Sequence, residues 1–366
     1  MGKFARTFPV EVLAQWDAEH PGNLVRLLFQ RWAMPGRRTN RAPLRIGVRD
    51  GYVNFYIQGQ LVAKLYCGRA RPTVLVHQTY VDERTSRFAV PSRALPRQPY
   101  ISFLPEALAR TGGSELIASW ITTAETHASA EKSFVDDLIG SNSGVLDFEM
   151  GLPAGGQRNA PRTDLIVAQG QFGGPYSIAF WEVKCSINPE LRARAAYVEA
   201  NGKRIAGPKV IHQLRKCQQW MSDHGRQEEF QRACKATAEI LLGFYRVFGS
   251  KLDVTPDCVR IWEALVKSPL PNVVLPPGLV VGNYCPGGYT PTNRERASLF
   301  RNRADSFVPH AKVLENHGVM VHQSGPDHHG RYLPQIANGE VTAEADVGAS
   351  DILAGNQSAS MKAGLT

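Results

Sequence analysis

Apolar positions recur every three to four residues over Val10–Trp16 and Leu24–Trp32, which predicts two short helices ending at Pro35-Gly36-Arg37-Arg38. The period then drops to two. Leu44–Arg49, Tyr52–Ile57, Leu61–Tyr66 and Thr73–Tyr80 read as strands, with Asp50-Gly51 and Gln58-Gly59 as their turns. The result is a small antiparallel β unit with arginine-rich edges. Pro91, Pro96, Pro99 and Pro105 follow, and they mark a linker.

A mixed α/β pattern comes next. Thr122–Ile139 has helical spacing, with Gly140 as its stop. Val145–Met150, Arg162–Ala168 and Ser177–Cys185 read as three strands. Pro208–His224 reads as a helix, with Val210, Leu214, Cys217 and Met221 on one stripe and Gly225 just past its end. Phe230–Phe248 and Asn293–His317 have helical patterns, and Gly278–Val281 and Val319–Val321 are short strands. From about Asn338 the residues are small and polar, as in a disordered tail.

Charge changes this picture because it is unevenly placed. Of the net +9, residues 1–100 carry +10, with 16 Lys and Arg against 6 Asp and Glu. A basic module beside a near-neutral remainder suits a polyanionic partner, since each phosphate contact releases counterions. The expected organisation is a basic β-rich domain over residues 1–100, an α/β domain over 101–336 and a tail over 337–366. No stretch approaches the ~20 apolar residues that cross a bilayer. The six cysteines form no CxxC pair, so reduced thiols and a cytoplasmic location are expected.

The chemistry concentrates in Ser177–Cys185. Side chains alternate there, so Ile178, Phe180, Glu182 and Lys184 share one face and Ala179, Trp181 and Val183 the other. Both faces begin apolar, as in a strand buried on both sides. Two opposite charges then appear on one face, and burying either alone would be costly. In the preceding strand Asp164, Ile166 and Ala168 share a face, and hairpin pairing would set Asp164 beside Glu182. Two carboxylates with an ammonium beside them suit phosphodiester hydrolysis assisted by Mg²⁺, a hard cation that prefers oxygen ligands. Mutual repulsion raises the proton affinity of the carboxylates until a cation arrives.

Asp164 followed by Glu182-Val183-Lys184 on the next strand, between two helices, resembles the core of the PD-(D/E)XK nuclease superfamily. Thr163-Asp164 stands where that family has Pro-Asp. The resemblance covers roughly residues 120–225, about a third of the chain. It implies a restriction-endonuclease-like fold with a mixed central sheet flanked by helices. It also implies Asp164 and Glu182 as metal ligands, Lys184 as the cation that orients water, and Mg²⁺ as cofactor with Mn²⁺ able to substitute. A glutamate on the family's first core helix corresponds to Glu131, three and four residues before the apolar Phe134 and Val135. Glu125 is a nearby alternative. A glutamine found on the next helix in several branches corresponds to Gln213, although Cys217 stands where those branches have Tyr.

Other features are weaker. Glu149 is a further candidate ligand, but Val145, Asp147 and Glu149 read as an ordinary solvated strand face. His328-His329 lacks ligand partners at metal spacing. No Gly-Lys-Ser/Thr follows the glycine pairs, so a nucleotide-hydrolysing phosphate loop is not indicated. Arg192, Arg194, Lys203, Arg204 and Lys209 lie between the Glu182/Lys184 strand and the Gln213 helix, where they would grip a nucleic-acid backbone. In the N-terminal unit Arg37, Arg38, Arg41, Arg45 and Arg49, with Tyr52, Phe55 and Tyr56, would contact grooves or bases, or else form sheet core.

The expectation is therefore a Mg²⁺-dependent nuclease acting on DNA, in restriction or phage defence. The alternatives are a non-catalytic nucleic-acid-binding module on a nuclease fold, and an RNase. A homodimer would suit double-strand cutting, though no dimer signature stands out.

Overall fold

The computed structural model describes residues 4–37, 43–69, 71–81, 89–90, 99–106, 113–153, 161–170, 176–192, 197–198, 204–205, 207–249, 255–283, 306–325, 331–337 and 340–342. Two helices open the chain, α1 (Val10–Glu19) and α2 (Leu24–Gln30), the second capped by the Asn23 side chain on Arg26 N–H. An antiparallel sheet follows: β1 (Arg45–Val48), β2 (Tyr52–Ile57), β3 (Gln60–Cys67), β4 (Pro72–His77), β5 (Ala89–Val90) and β6 (Tyr100–Phe103), in the order β1-β2-β3-β4-β6-β5. Both expected turns hold, with Gly51 and Gly59 at φ +77° and +72°, where a side chain would be strained. The proline-rich stretch is more than a linker. Tyr100–Phe103 pairs with His77–Val74, because its four residues contain no proline and can donate to the ladder.

The single helix expected over Thr122–Ile139 is two. α3 (Gly113–Glu125) ends before Ser129, whose hydroxyl caps Lys132 N–H and starts α4 (Ala130–Ser141). Gly140 lies inside α4 rather than ending it. Three antiparallel strands follow, β7 (Val145–Gly151), β8 (Arg162–Gln169) and β9 (Ser177–Cys185). Short pairs β10 (Tyr197–Val198) and β11 (Arg204–Ile205) precede α5 (Lys209–Met221). Gly225 does not terminate α5. Asp223 caps a new helix, α6 (His224–Phe244), which runs through it. A further helix, α7 (Asp257–Lys267), packs on α6; Pro256 just before it and the stripe Cys258, Val259, Trp262 and Leu265 are its sequence signal.

The chain then returns to the second sheet. β12 (Asn272–Val273) and β13 (Gly278–Gly282) lie parallel to β9, and β14 (Val321–Ser324), reached through α8 (Val308–Asn316), lies parallel to β13. The order β14-β13-β9-β8-β7 makes a mixed sheet, as parallel neighbours joined by helical crossovers require. Residues 293–305 of the expected Asn293–His317 helix, and His328-His329, lie outside the described residues. So does most of the expected tail, of which β16 (Glu340–Thr342), paired with β15 (Gln335–Ala337), is described.

The protein is a mixed α/β chain whose parts share their packing. One core joins the inner face of the first sheet (Val53, Phe55, Leu65, Val74) to α1, α2, α3, α6 and α7, and to one face of the second sheet (Ile166, Ile178, Phe180). A second core seats α4 (Phe134, Leu138) on the opposite face, against Leu165, Ala179, Trp181 and Val183. A third sets α5 and α8 against Leu279 and Val281. Among the described residues no helix is long and apolar enough to cross a membrane.

A buried charge group sits where β1 meets β7. Asp147 is 3% exposed, so the solvated strand face expected for it is wrong. Arg49 Nη1 reaches both its oxygens at 2.8 and 2.9 Å, and Arg6 lies 3.7 Å away. Arg45, also buried, donates to Asp136 and to the carbonyls of Ala33, Met34 and Arg37. These two arginines are thus internal braces and are not available to a groove. Phe55 is core, and Arg38 and Arg41 lie outside the described residues.

Candidate active site

Strands β8 and β9 pair from Gln169↔Ser177 to Leu165↔Trp181 and then part company. On the far side β9 stays paired with β13, where Leu279 faces Glu182 and Val281 faces Lys184. At the fork a side chain takes over from the ladder, and Asp164 Oδ2 accepts the Val183 N–H at 2.8 Å. Alternation places Glu182 and Lys184 on the face of Ile178 and Phe180, and both are nearly buried, at 8% and 5% exposed.

Four carboxylates surround the Lys184 ammonium. Glu182 Oε1 accepts its hydrogen bond at 2.7 Å, Glu131 lies at 3.6 Å, and Asp164 and Glu190 at 3.9 Å. Glu131 comes from the first turn of α4, on the opposite face of the sheet, and reaches the group around the strand ends. The Asn188 side chain fixes it there, with Nδ2 donating to Glu131 Oε2 at 2.7 Å. Oδ1 of the same residue accepts the Glu190 N–H at 2.9 Å and caps a short 3₁₀ turn, Pro189–Leu191. Glu190 and Asn188 were not anticipated. The Asn188-Pro189 turn directly after a charged strand end was the available signal.

Burial, then repulsion by Asp164, pushes the Glu182 carboxyl up to about 8, against the pull of Lys184. Burial also raises Asp164, again offset by Lys184. For Lys184 burial acts downward, but Glu182, Asp164 and Glu131 outweigh it and its pKa rises. The ammonium therefore stays charged, while the two carboxylates compete for the stabilisation it offers.

Asp164, Glu182, Lys184 and Glu131 are thus brought together. Gln213 is not shown in contact with them. It sits on α5, its buried Oε1 without a hydrogen-bond partner among the described residues, one turn before Cys217. α5 packs on β8, and Cys217 joins the core that holds Ile178 and Phe180, the face Glu182 shares; burial, and next the Glu182 charge, push its thiol up to about 12. Glu125 is exposed elsewhere on α3, and half-buried Glu149 pairs with Lys132. Of the expected phosphate-gripping residues, Lys209 pairs with Glu190, and Arg192 braces the loop by donating to the Ser186 and Asn188 carbonyls. Arg194, Lys203 and the Arg204 side chain lie outside the described residues.

Among the described residues no three His, Cys, Asp or Glu side chains stand ready to hold a metal ion, since the ammonium occupies the middle of the group. The donor chemistry nevertheless fits a hard divalent cation. The donors are carboxylate oxygens only, they outnumber the lysines that neutralise them, and the two on the fork hold protons more tightly than usual. Compared with protein-family models, curated proteins and solved structures, the chain matches none.

Proposed function

We propose that this chain is a Mg²⁺-dependent nuclease hydrolysing phosphodiester bonds in DNA, built on a PD-(D/E)XK core. The observation that carries the reading is the convergence of Asp164, Glu182 and Glu131, from two strands and a helix, on Lys184 at the fork between β8 and β9. The element order supports the finer fold assignment: α4, the antiparallel run β7-β8-β9, α5, then β13 parallel to β9.

In this reading Asp164 and Glu182, with Glu131 beside them, supply the oxygens that hold Mg²⁺, and Mn²⁺ substitutes. The bound cation would neutralise the scissile phosphate and lower the pKa of a water molecule. Lys184 keeps its proton throughout. Its N–H groups orient the attacking water and stabilise the negative charge that develops on the phosphate oxygens. Gln213, on α5 with a side-chain carbonyl oxygen that has no hydrogen-bond partner among the described residues, would accept a hydrogen bond from that water. A place in restriction or phage defence is consistent with such an enzyme and rests on analogy alone.

One observation favours a second reading, a non-catalytic nucleic-acid-binding module on the same fold: the centre of the carboxylate group is filled by the ammonium. Incubating wild type and Lys184→Ala with linear and circular plasmid, in Mg²⁺ or EDTA, separates the two. The nuclease reading expects Mg²⁺-dependent cleavage that the folded variant lacks. Binding without cleavage under Mg²⁺ and Mn²⁺, on DNA and on RNA, would overturn it.

A further inference from the structure

Part of the outer face of the first sheet carries aromatic side chains that the core does not use; at the end of β2 the same face is covered, with Asn54 and Tyr56 buried and Tyr56 packed on Phe148. Inward residues of β2, β3, β4 and β6 (Val53, Phe55, Leu65, Val74, Phe103) are fully buried. Their outward neighbours include Tyr52, Lys64, Tyr66, His77 and Tyr100, all at least partly exposed, with Tyr66 at 36%. Tyr52 and Tyr66 face each other across the ladder and stack at 4.9 Å between centroids, 25° from parallel. Lys64 Nζ sits 4.0 Å over the Tyr100 ring, and His77 meets that ring edge-on at 5.4 Å.

The strands of this face carry no acidic residue. Strands β2, β3, β4 and β6 contain no Asp or Glu, and just beyond Tyr66 exposed Arg69 extends the cationic surface, while Arg71 there lies 3.9 Å from Glu106. The other end of the sheet abuts α4, the helix that carries Glu131 in its first turn. The Gln58-Gly59 turn packs on α4, with Gln58 accepting from Ser133 at 3.1 Å and Gly59 against the Lys132 side chain, next to Glu131.

We infer that this face is a stacking platform for an unpaired nucleic-acid strand, which it delivers to the Asp164–Glu182–Lys184 centre. A partner that needs both π-surfaces and positive charge is a polyanion with exposed flat rings. Single-stranded nucleic acid meets that description, whereas a duplex hides its base faces. The fate of the bound strand rests on the nuclease reading. Binding does not, and it is measured with the metal removed.

The test is fluorescence anisotropy of the full chain in EDTA with labelled oligonucleotides of about 15 nucleotides, near the upper end of what one sheet module covers. Single-stranded DNA, single-stranded RNA and a blunt DNA duplex are compared. Single strands are expected to bind at least about tenfold tighter than the duplex. Tyr66→Ala and Tyr52→Ala should each weaken single-strand binding by roughly 5- to 100-fold, the range for loss of one base–aromatic stack. Tyr66→Phe keeps the ring and should bind like wild type. Lys64→Gln should lower the salt dependence by about one phosphate contact. These side chains are half-exposed, so the variants should fold, which circular dichroism checks. Unchanged single-strand affinity in both alanine variants, or duplex bound as tightly as single strand, overturns the platform even if wild type cleaves DNA in Mg²⁺. Tyrosine-dependent binding without any cleavage upholds it and removes the nuclease reading instead.

Discussion

Lys184 Nζ donates a 2.7 Å hydrogen bond to Glu182 Oε1, the carboxylate two residues earlier on the same face of β9. Each charge is nearly excluded from water, so neither is tolerable without the other. Removing the ammonium leaves Asp164 and Glu182 facing each other. Lys184→Met should therefore lower cleavage by about 100-fold or more. It should also lower stability by about 3–5 kcal/mol, as breaking a buried pair does. The stability loss should shrink at acidic pH, where protonation neutralises the orphaned carboxylates. Denaturant melts of both proteins at about pH 5 and about pH 9.5, on either side of the Glu182 carboxyl at about 8, check this, and equal midpoints at the higher pH would refute the pairing.

Glu182 has a carboxyl pushed from its ordinary 4.5 up to about 8, by burial and then by Asp164. Between those two values the folded chain holds a proton that the unfolded chain has lost. That contribution is complete below pH 4.5 and disappears as pH rises through 8. In EDTA, the melting temperature of wild type minus that of Glu182→Gln should fall as pH rises from about 5 to 9, by several degrees at roughly 2–4 °C per kcal/mol. Mg²⁺ would compete for the same site, so its stabilising shift should grow over that interval. A pH-independent difference would place the Glu182 pKa at its ordinary value.

Arg49 and Asp147 give a prediction away from the site. Burial acts to lower the Arg49 pKa, Asp147 outweighs it, and the net direction is upward. Asp147→Ala strands two buried guanidinium groups, those of Arg49 and Arg6, and should cost about 3–5 kcal/mol. Arg6→Met and Arg49→Met together with Asp147→Leu should recover much of that loss, because a buried ion group replaced whole by apolar residues is often neutral, whereas Arg49→Met with Asp147→Leu alone leaves Arg6 stranded and should recover only part. A double-mutant cycle in urea measures the coupling. Additive losses would show that the two side chains do not act as a unit.

How much of this was legible in the sequence depended on how local the cause was. β9 begins and ends at the expected residues, Ser177 and Cys185, because an apolar alternation ending in Glu-Val-Lys needs no distant partner to be read. Pairing then placed Asp164 at the fork, as hairpin geometry required. Causes set by residues far along the chain were invisible. Asp147 looked solvated because its partner Arg49 is 98 residues away. The strand Tyr100–Phe103 was hidden among prolines because only β4 reveals its ladder. Helix α4 could be seen, but the fact that Glu131 reaches around the sheet to Lys184 could not. That depends on Asn188, 57 residues later, which holds it.

Asn188 provides the sharpest separation of a positioning role from a merely structural one. Its amide ties Glu131 of α4 to the loop after β9, and its carbonyl oxygen holds the Glu190 N–H, so one side chain sets two carboxylates around Lys184. Asn188→Ala should release both, and Glu131 would lose its orientation without losing its charge. The expected result is a 10- to 100-fold weaker apparent Mg²⁺ affinity for cleavage, the scale seen when a group that orients a metal ligand is removed, with saturating Mg²⁺ restoring most of the rate. The melting temperature should drop only by the few degrees that about 1 kcal/mol of lost hydrogen bonding produces. Asn188→Asp keeps the acceptor for Glu190 N–H but sets a negative charge against Glu131, so in EDTA it should melt below the alanine variant, and Mg²⁺ should raise its melting temperature more. If both variants lose rate in proportion to lost stability, with unchanged Mg²⁺ dependence, then Asn188 only holds the loop, and Glu131 contributes nothing to the cation site.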